Sequence, residues 1–209
     1  IGGSGDWNTA ANWLDATTLT NHVPVAGDDA VVNVAGISVT HATGTHTVNS
    51  LTTSNPFTLS GGTLSIGATV QVNNTFRLGS GALSGGTVSF AAGQTLAITS
   101  DAARLTGVTV NGDLTLAAEG ARVLIEAGTT FANAHLSAGE VTFAPGQSLT
   151  GNILFEGPDA GATRVVGMNG TGTLTIGPTG SIKTVAGFVG TGRIGKFQVA
   201  GAMTLVNQA

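Results

Sequence analysis

LSGGTLSI, residues 59–66, returns as LSGGTVSF at residues 83–90, with six of its eight letters unchanged. The two that differ exchange one apolar residue for another, Leu64 for Val88 and Ile66 for Phe90. Weaker echoes follow in LTGVTV (105–110), LSAGEVTF (136–143) and GTGTLTIG (170–177). The pair VSFAAGQTL (88–96) and VTFAPGQSL (141–149) carries the likeness past the strand into the next turn. Self-similarity at spacings of roughly 20 to 33 residues is the mark of stacked structural units. The leading pair predicts a winding of about 24 residues, so that Leu64 stacks on its counterpart one winding later.

Inside each unit apolar residues alternate with small polar ones. Leu64 and Ile66 flank Ser65, Val70 and Val72 flank Gln71, and Leu174 and Ile176 flank Thr175. Period two places the apolar side chains on one face of an extended strand and Ser, Thr and Ala on the other. Gly, Asn and Asp break the pattern at short intervals, where the backbone must turn. Helical periodicity is nearly absent. Short strands, frequent corners and a repeated phrase predict an all-β chain folded as a right-handed parallel β-helix, a β-solenoid of about three strands per winding. A β-sandwich suits the strand spacing as well, but it has no reason to reuse a phrase, and its core normally takes larger aromatics than the 5% found here.

Composition narrows the function. Charged residues make up 9% of the 209 residues, with seven Lys and Arg and a net charge of −4. So few cations cannot form the basic stripe that neutralises phosphates, which argues against nucleic acid as a partner. No apolar run reaches the roughly 20 residues of a membrane helix. Cys is absent, so no disulfide framework or thiol chemistry is available. The first residue is Ile1 and not Met, which suggests a piece of a larger chain whose export signal and anchor lie elsewhere.

Residues 1–34 differ in style. They hold both tryptophans, in GDWNTAANW (5–13), followed by VPVAGDDAVVNV (23–34). This GDW…NW segment, leading through Val-Pro and Gly-Asp-Asp into an apolar strand, resembles a module of large bacterial surface proteins. Those are the autotransporter passengers and filamentous-haemagglutinin-like adhesins, in which it introduces arrays of β-helical repeats. The resemblance implies an N-terminal cap and leading strand over 1–34 and solenoid coils over 35–209 in one continuous domain. It further implies a structural or adhesive role at the bacterial cell surface or outside the cell. The partners would be neighbouring repeat domains of the parent chain, glycans or host surfaces, and further copies end to end. On physical grounds Trp7 and Trp13 are expected to seal the first coil, whose core and strand edges would otherwise be open. The functional counter-reading is a sugar-stacking pair.

Candidate chemistry is sparse. The G-G-x-G-x-D repeats of calcium-binding β-rolls are absent, and a hard cation wants six or more converging oxygens. Asp28 and Asp29 are the calcium candidates, and also the simplest acceptors for a turn. His41 and His46, five apart in THATGTH, fall on opposite faces if the strand is continuous, although Gly44 can kink it. With His22 and His135 remote and no Cys, they read as surface histidines and not as a zinc set. Stacked coils can align Asp101 with Glu119 or Glu126 at glycosidase spacing. Yet Arg104 and Arg122 look isolated, Tyr is absent, and no Trp follows Trp13. GTGRIG (190–195) lacks the strand–helix context of a dinucleotide site, no G-x-S-x-G elbow occurs, and T-x-T pairs are irregular for an ice-binding array. The sequence therefore predicts a chain that is not an enzyme and needs no cofactor. A carbohydrate-binding or carbohydrate-cleaving β-helix is the competing expectation.

Overall fold

The computed structural model describes residues 4–195 and 202–208. Part of the final segment, residues 196–201 and 209, lies outside them. Apart from one 3-10 turn at Ala10–Asn12 the described chain is all-β, with parallel strands wound as a β-solenoid. A winding contributes three short strands, one to each of three faces. The first face stacks eight strands from Thr45–Val48 to Gly192–Ile194. The second begins with Asp29–Val32, Ser50–Thr53, Thr69–Val72 and Thr87–Phe90. The third runs from Gly5–Asp6 through Val39–His41 and Phe57–Leu59 to Ser181–Thr184.

Because strands pair in parallel and in register, equivalent side chains pile into columns. On the first face Leu64, Leu83, Leu105, Ile125, Phe143 and Met168 follow one another inward. Ala30, Leu51, Val70, Val88, Val110 and Phe131 do so on the second. Val39, Phe57, Phe76, Leu96, Leu114, Ala134 and Ile153 do so on the third. These columns meet at the axis as one buried apolar core. Each side chain stands about 4.8 Å from the next in its column, so the interior excludes water along its length.

The repeated phrase does not mark one winding. Leu64 pairs with Leu83 and not with Val88, which pairs instead with Val70 on the second face. In the column from Leu64 to Met168 every step but the last is shorter than the spacing of the phrase. LSGGTLSI bridges the third face to the first, and LSGGTVSF bridges the first face to the second. The phrase therefore writes a corner. A corner must lie flat on the corner of the preceding winding, which leaves no space for a side chain. A Cβ on Gly62 would stand 2.2 Å from the Gly44 carbonyl oxygen, and one on Gly86 would stand 2.7 Å from Ile66 Cγ2. Both glycines also take positive φ, +68° in each case, where an L side chain is strained. Identical packing problems at different corners drew the same letters.

Later windings depart from this plan. Thr109–Leu116 spans the second and third faces in one strand, with a register shift between Val110 and Asp113 in place of a turn. Afterwards the second-face position passes to a separate ladder of Ser148–Leu149, Gly172–Ile176 and Met203–Asn207.

At the N-terminal end the indoles roof the columns. Trp7 is fully buried and Trp13 is 6% exposed, so neither offers a face to a sugar ring. Their centroids lie 4.7 Å apart at 61°, an edge-on contact, and Trp13 Nε1 donates to the Trp7 carbonyl at 2.8 Å. Beneath them the structure overturns the surface reading for His41 and draws His46 partly inward. Gly44 turns the chain with φ +87°, so His41 ends one strand, His46 sits in the next, and the rings meet at 5.0 Å. His41 is fully buried. Its Nδ1 lies 2.9 Å from the Gly61 carbonyl, an acceptor only, so that nitrogen carries the proton. Nε2 of His41 then accepts from Nδ1–H of His46 at 2.9 Å. Burial first, and then the repulsion between two protonated rings, hold His46 below the ordinary histidine value, and Asp6 pulls it partly back.

Two outcomes follow from this packing. Leu105 is wholly buried within its column, so Leu105→Ala should cost about 2–5 kcal/mol in a denaturant melt. The half-buried Phe90 should cost less when truncated. The second concerns pH. His46 favours its neutral form in the fold, so the unfolded chain takes up the extra proton as pH falls below 6.5, and the cap loses stability from there downward. His22 and His135 are shifted upward and act in the opposite sense, so the readout is the difference between the wild-type chain and His46→Asn, whose tryptophan-monitored midpoint should fall less than the wild type's between pH 7.5 and 5. Equal pH dependence in the two chains contradicts the buried pair.

Candidate functional site

Outside the columns, side-chain chemistry collects along the windings between residues 101 and 169. A furrow runs along the axis beside the first face. One stretch is lined by Asp101, Glu119, Arg122, Glu140 and Thr163. Arg122 and Asp101 continue it towards Arg104, Thr142 and Asn169, and Glu119 continues it towards Asp159 and Arg164. Stacking creates it, because Arg122 pairs in register with Glu140 and Arg104 with Leu124, then Leu124 with Thr142.

The arginines are not isolated, as their sequence neighbourhood suggested. Arg122 Nε donates to the Asp101 carbonyl at 2.9 Å, and Arg104 and the Thr106 hydroxyl both bind Glu126. Asp101 and Glu119 do share the furrow, and Glu119 accepts the Thr163 N–H at 3.1 Å. Glu126 is engaged by Arg104 instead. That ion pair is half exposed on the arginine side and adds little stability.

Glu140 was not singled out from sequence. Its backbone position in LSAGEVTF is an ordinary outward one, yet the residue is only 5% exposed. Its Oε1 and the Thr142 hydroxyl, two residues along the same strand, are both buried, and their one hydrogen-bonding contact is a loose one with each other. Burial pushes the Glu140 carboxyl above its usual range, and the nearby Thr142 hydroxyl and Arg122 charge pull it partly back. Glu119, Asp101, Arg122 and Glu140 line the same furrow, a set of groups able to hydrogen-bond a hydroxylated ligand.

Arg164 is the second residue that sequence reasoning missed. It is 1% exposed and donates to three carbonyls, of Glu156 at 2.7 Å, Asp159 at 2.9 Å and Ala162 at 3.2 Å. Its guanidinium also lies 5.1 Å from the centre of the Phe188 ring. It thereby pins the loop that makes the winding from Phe143 to Met168 longer than those before it, and walls one end of the furrow. A lone Arg ahead of an apolar strand was the only signal for it.

The third face carries a different cluster. His135 Nδ1 lies 2.9 Å from Glu156 and Nε2 lies 3.3 Å from Asp113. Burial disfavours its charged form, but the bond and charge of Glu156 with the charge of Asp113 raise it above the ordinary value overall. Beside it Asn133 donates to Asp113 at 2.8 Å, Asn152 to Asn133 at 3.1 Å, and Ser181 to Asn152 at 2.7 Å. Both imidazole nitrogens are engaged, so the cluster staples successive windings and holds no free base.

The calcium candidates have separate tasks. Asp28 Oδ2 accepts the Val25 N–H at 2.9 Å, closing the turn before the strand. Asp29 Oδ1 accepts from Asn49 at 2.7 Å and the Ser50 hydroxyl at 2.6 Å, the Ser50 bond chief in lowering its pKa. His22 sits 3.6 Å from Asp15 and 3.9 Å from Asp28. Among the described residues no group of three or more His, Cys, Asp or Glu is arranged to hold a metal ion.

The raised Glu140 pKa has a signed consequence. The unfolded carboxyl ionises from about pH 4.5 while the folded one resists, so this group's contribution to stability falls as pH rises. Glu140→Gln should therefore raise the thermal midpoint by a few degrees at pH 7 and change it little at pH 4. An equal shift at both pH values would mean that the carboxyl is not the strained group. No family model, no curated protein and no solved structure matches this chain.

Proposed function

We propose that the chain is a stiff structural or adhesive module of a large bacterial protein displayed at the cell surface or secreted. The observation that carries this reading is the continuity of the inward columns. From Leu64 to Met168 every winding places an apolar residue on the one before, with ladder hydrogen bonds parallel to the axis. Bending or stretching such a rod breaks many equivalent contacts at once, which suits load-bearing and projection. The GDW…NW segment leading into the coils supports the surface setting. Few exposed charges and short corners leave proteases little purchase.

A second reading, carbohydrate binding in the furrow, is favoured by the carboxylates of Asp101 and Glu119 and the guanidinium of Arg122 that line it. Beads carrying the chain, washed over mucin, matrix protein and printed neutral oligosaccharides, separate the two. A stalk or protein-directed adhesin gives no oligosaccharide signal. The carbohydrate reading requires retention that disappears with Arg122→Ala while circular dichroism is unchanged. Release of reducing ends over many turnovers from any polysaccharide would overturn the non-enzymatic role.

A further inference from the structure

Two asparagines in the chain precede a glycine, Asn111 and Asn169. That dipeptide is chemically labile, because the nitrogen of a glycine, with no side chain beside it, reaches the asparagine side-chain carbonyl without hindrance. The fold holds the two sites differently. Asn111 pairs with Ser89 inside the strand Thr109–Leu116. The register shift on the other side of that strand falls at Asn111 and Gly112, but Val110 and Asp113 on either side of them are paired to Phe131 and Asn133. Gly112 also lies against the Phe90 ring, which a Cβ would meet at 2.6 Å. Asn169 and Gly170 instead follow the end of Arg164–Met168, in the bend before Gly172–Ile176. Asn169 is exposed and Gly170 has φ +104°. Among the described residues no group accepts the Gly170 N–H. The location gives the bend a consequence. Glu126, Ala144 and Asn169 hold one place on successive windings, their N–H groups donating to the carbonyls of Leu105, Ile125 and Phe143 in the winding before. Asn169 thus stands in the column of Glu126, and with Asp101, Arg104 and Arg122 it lines a stretch of the furrow of about 290 Å³. One carboxylate and two guanidinium groups leave that lining with one net positive charge.

We propose that the fold makes Asn169, and not Asn111, a self-modification site, and that its conversion to a carboxylate cancels the net charge of this stretch of the furrow. The Gly170 nitrogen attacks Asn169 Cγ, and an N–Cγ bond forms as the bond from Cγ to the side-chain nitrogen breaks. Water carries the Gly170 amide proton to the departing nitrogen, which leaves as ammonia. A second water then opens the cyclic imide, at one carbonyl to give aspartate and at the other to give isoaspartate. No electrons are gained or lost. Either product carries a negative charge where the amide carried none, in the same stretch as Arg104 and Arg122. Isoaspartate also lengthens the backbone by one carbon, which a bend absorbs and a ladder position does not. At Asn111 the same attack requires the strand first to leave its pairing with Thr87–Phe90, so local opening limits it. The inference goes beyond both readings of the chain's role and depends on neither.

Peptide mass spectrometry on the aged chain tests it. Trypsin places the two sites in separate peptides, 105–122 and 165–183, neither of which holds another Asn or any Gln, so a gain of one mass unit in either has a single source. When the folded chain is held at mildly alkaline pH, peptide 165–183 should gain that unit at least about tenfold faster than peptide 105–122. In denaturant the two should convert at similar rates. Ion exchange of the folded chain should resolve a growing, more acidic species that elutes with Asn169→Asp. Asn169→Gln keeps an amide but closes a ring far less readily, and should not form that species. A folded chain whose peptide 165–183 keeps its amide, or whose two peptides convert equally, overturns the proposal. So does a contrast that persists in denaturant, because the fold then plays no part in it.

Discussion

Everything in this molecule answers to the stacking of one winding on the next at the spacing of a parallel sheet, about 4.8 Å. At that distance a residue's nearest neighbours are its own equivalents above and below. Inward, this rewards repetition, because Leu on Leu leaves no gap and no polar atom without a partner. Outward, it penalises repeated charge, because like charges directly opposite repel. Among the described registers the one pairing of two charged residues is Arg122 with Glu140, which are opposite in sign. Asp113 faces Asn133, Arg77 faces Thr58 and Ala97, and Arg164 faces Gly139 and Gly192. A charged fraction of 9% is thus a consequence of the architecture before it is a clue to a partner.

The first winding has nothing above it, and its solution is chemical as well as steric. A column that ended in Leu would need a lid of hydrocarbon. Here a second inward column of the third face, through Leu78 and Leu59, ends in His41, and the first-face column above Leu64 ends in His46. Their rings pack edge-on beneath Trp7 while their nitrogens satisfy each other and the Gly61 carbonyl. Burial holds His46 towards its neutral form there, which ties the seal to pH in a way that an aliphatic cap would not.

This explains what could and could not be read from the letters. Alternation around Ser65, Gln71 and Thr175 revealed the strands, because period two is local. The cap was legible because two large indoles had no place in columns of Leu and Val. The winding length was not legible, because Gly61-Gly62 and Gly85-Gly86 solve the same corner on different edges of the prism, and a phrase does not say which edge it turns. His41 and His46 were misplaced for a related reason: five residues on a continuous strand put side chains on opposite faces, but a corner between them turns both inward. Arg104 and Arg122 looked alone because their partners, Glu126, Asp101 and Glu140, lie one winding away. The burial of Glu140 depends on what passes over it, and no feature of its own strand reports that.

Regularity itself then locates where the chain has been diverted from simple stacking. The steps from Leu64 through Leu83, Leu105 and Ile125 to Phe143 are short and similar. Those from Phe143 to Met168 and from Val166 to Ile194 are longer. The second face changes ladder at Ser148, Arg164 commits a buried charge to holding a loop, and Glu140 is a buried carboxyl. Each of these opposes the stability that a plain winding would give. Natural sequences keep local and global preferences aligned except where something else is being met, so conflicts that gather in one place are informative. The register break, the ladder change and the lengthened windings all lie beyond Asp101, although buried atoms without partners occur at Trp7 and Thr53 as well. The rod and the furrow therefore occupy different lengths of one solenoid, and a change in one need not disturb the other beyond the adjoining winding.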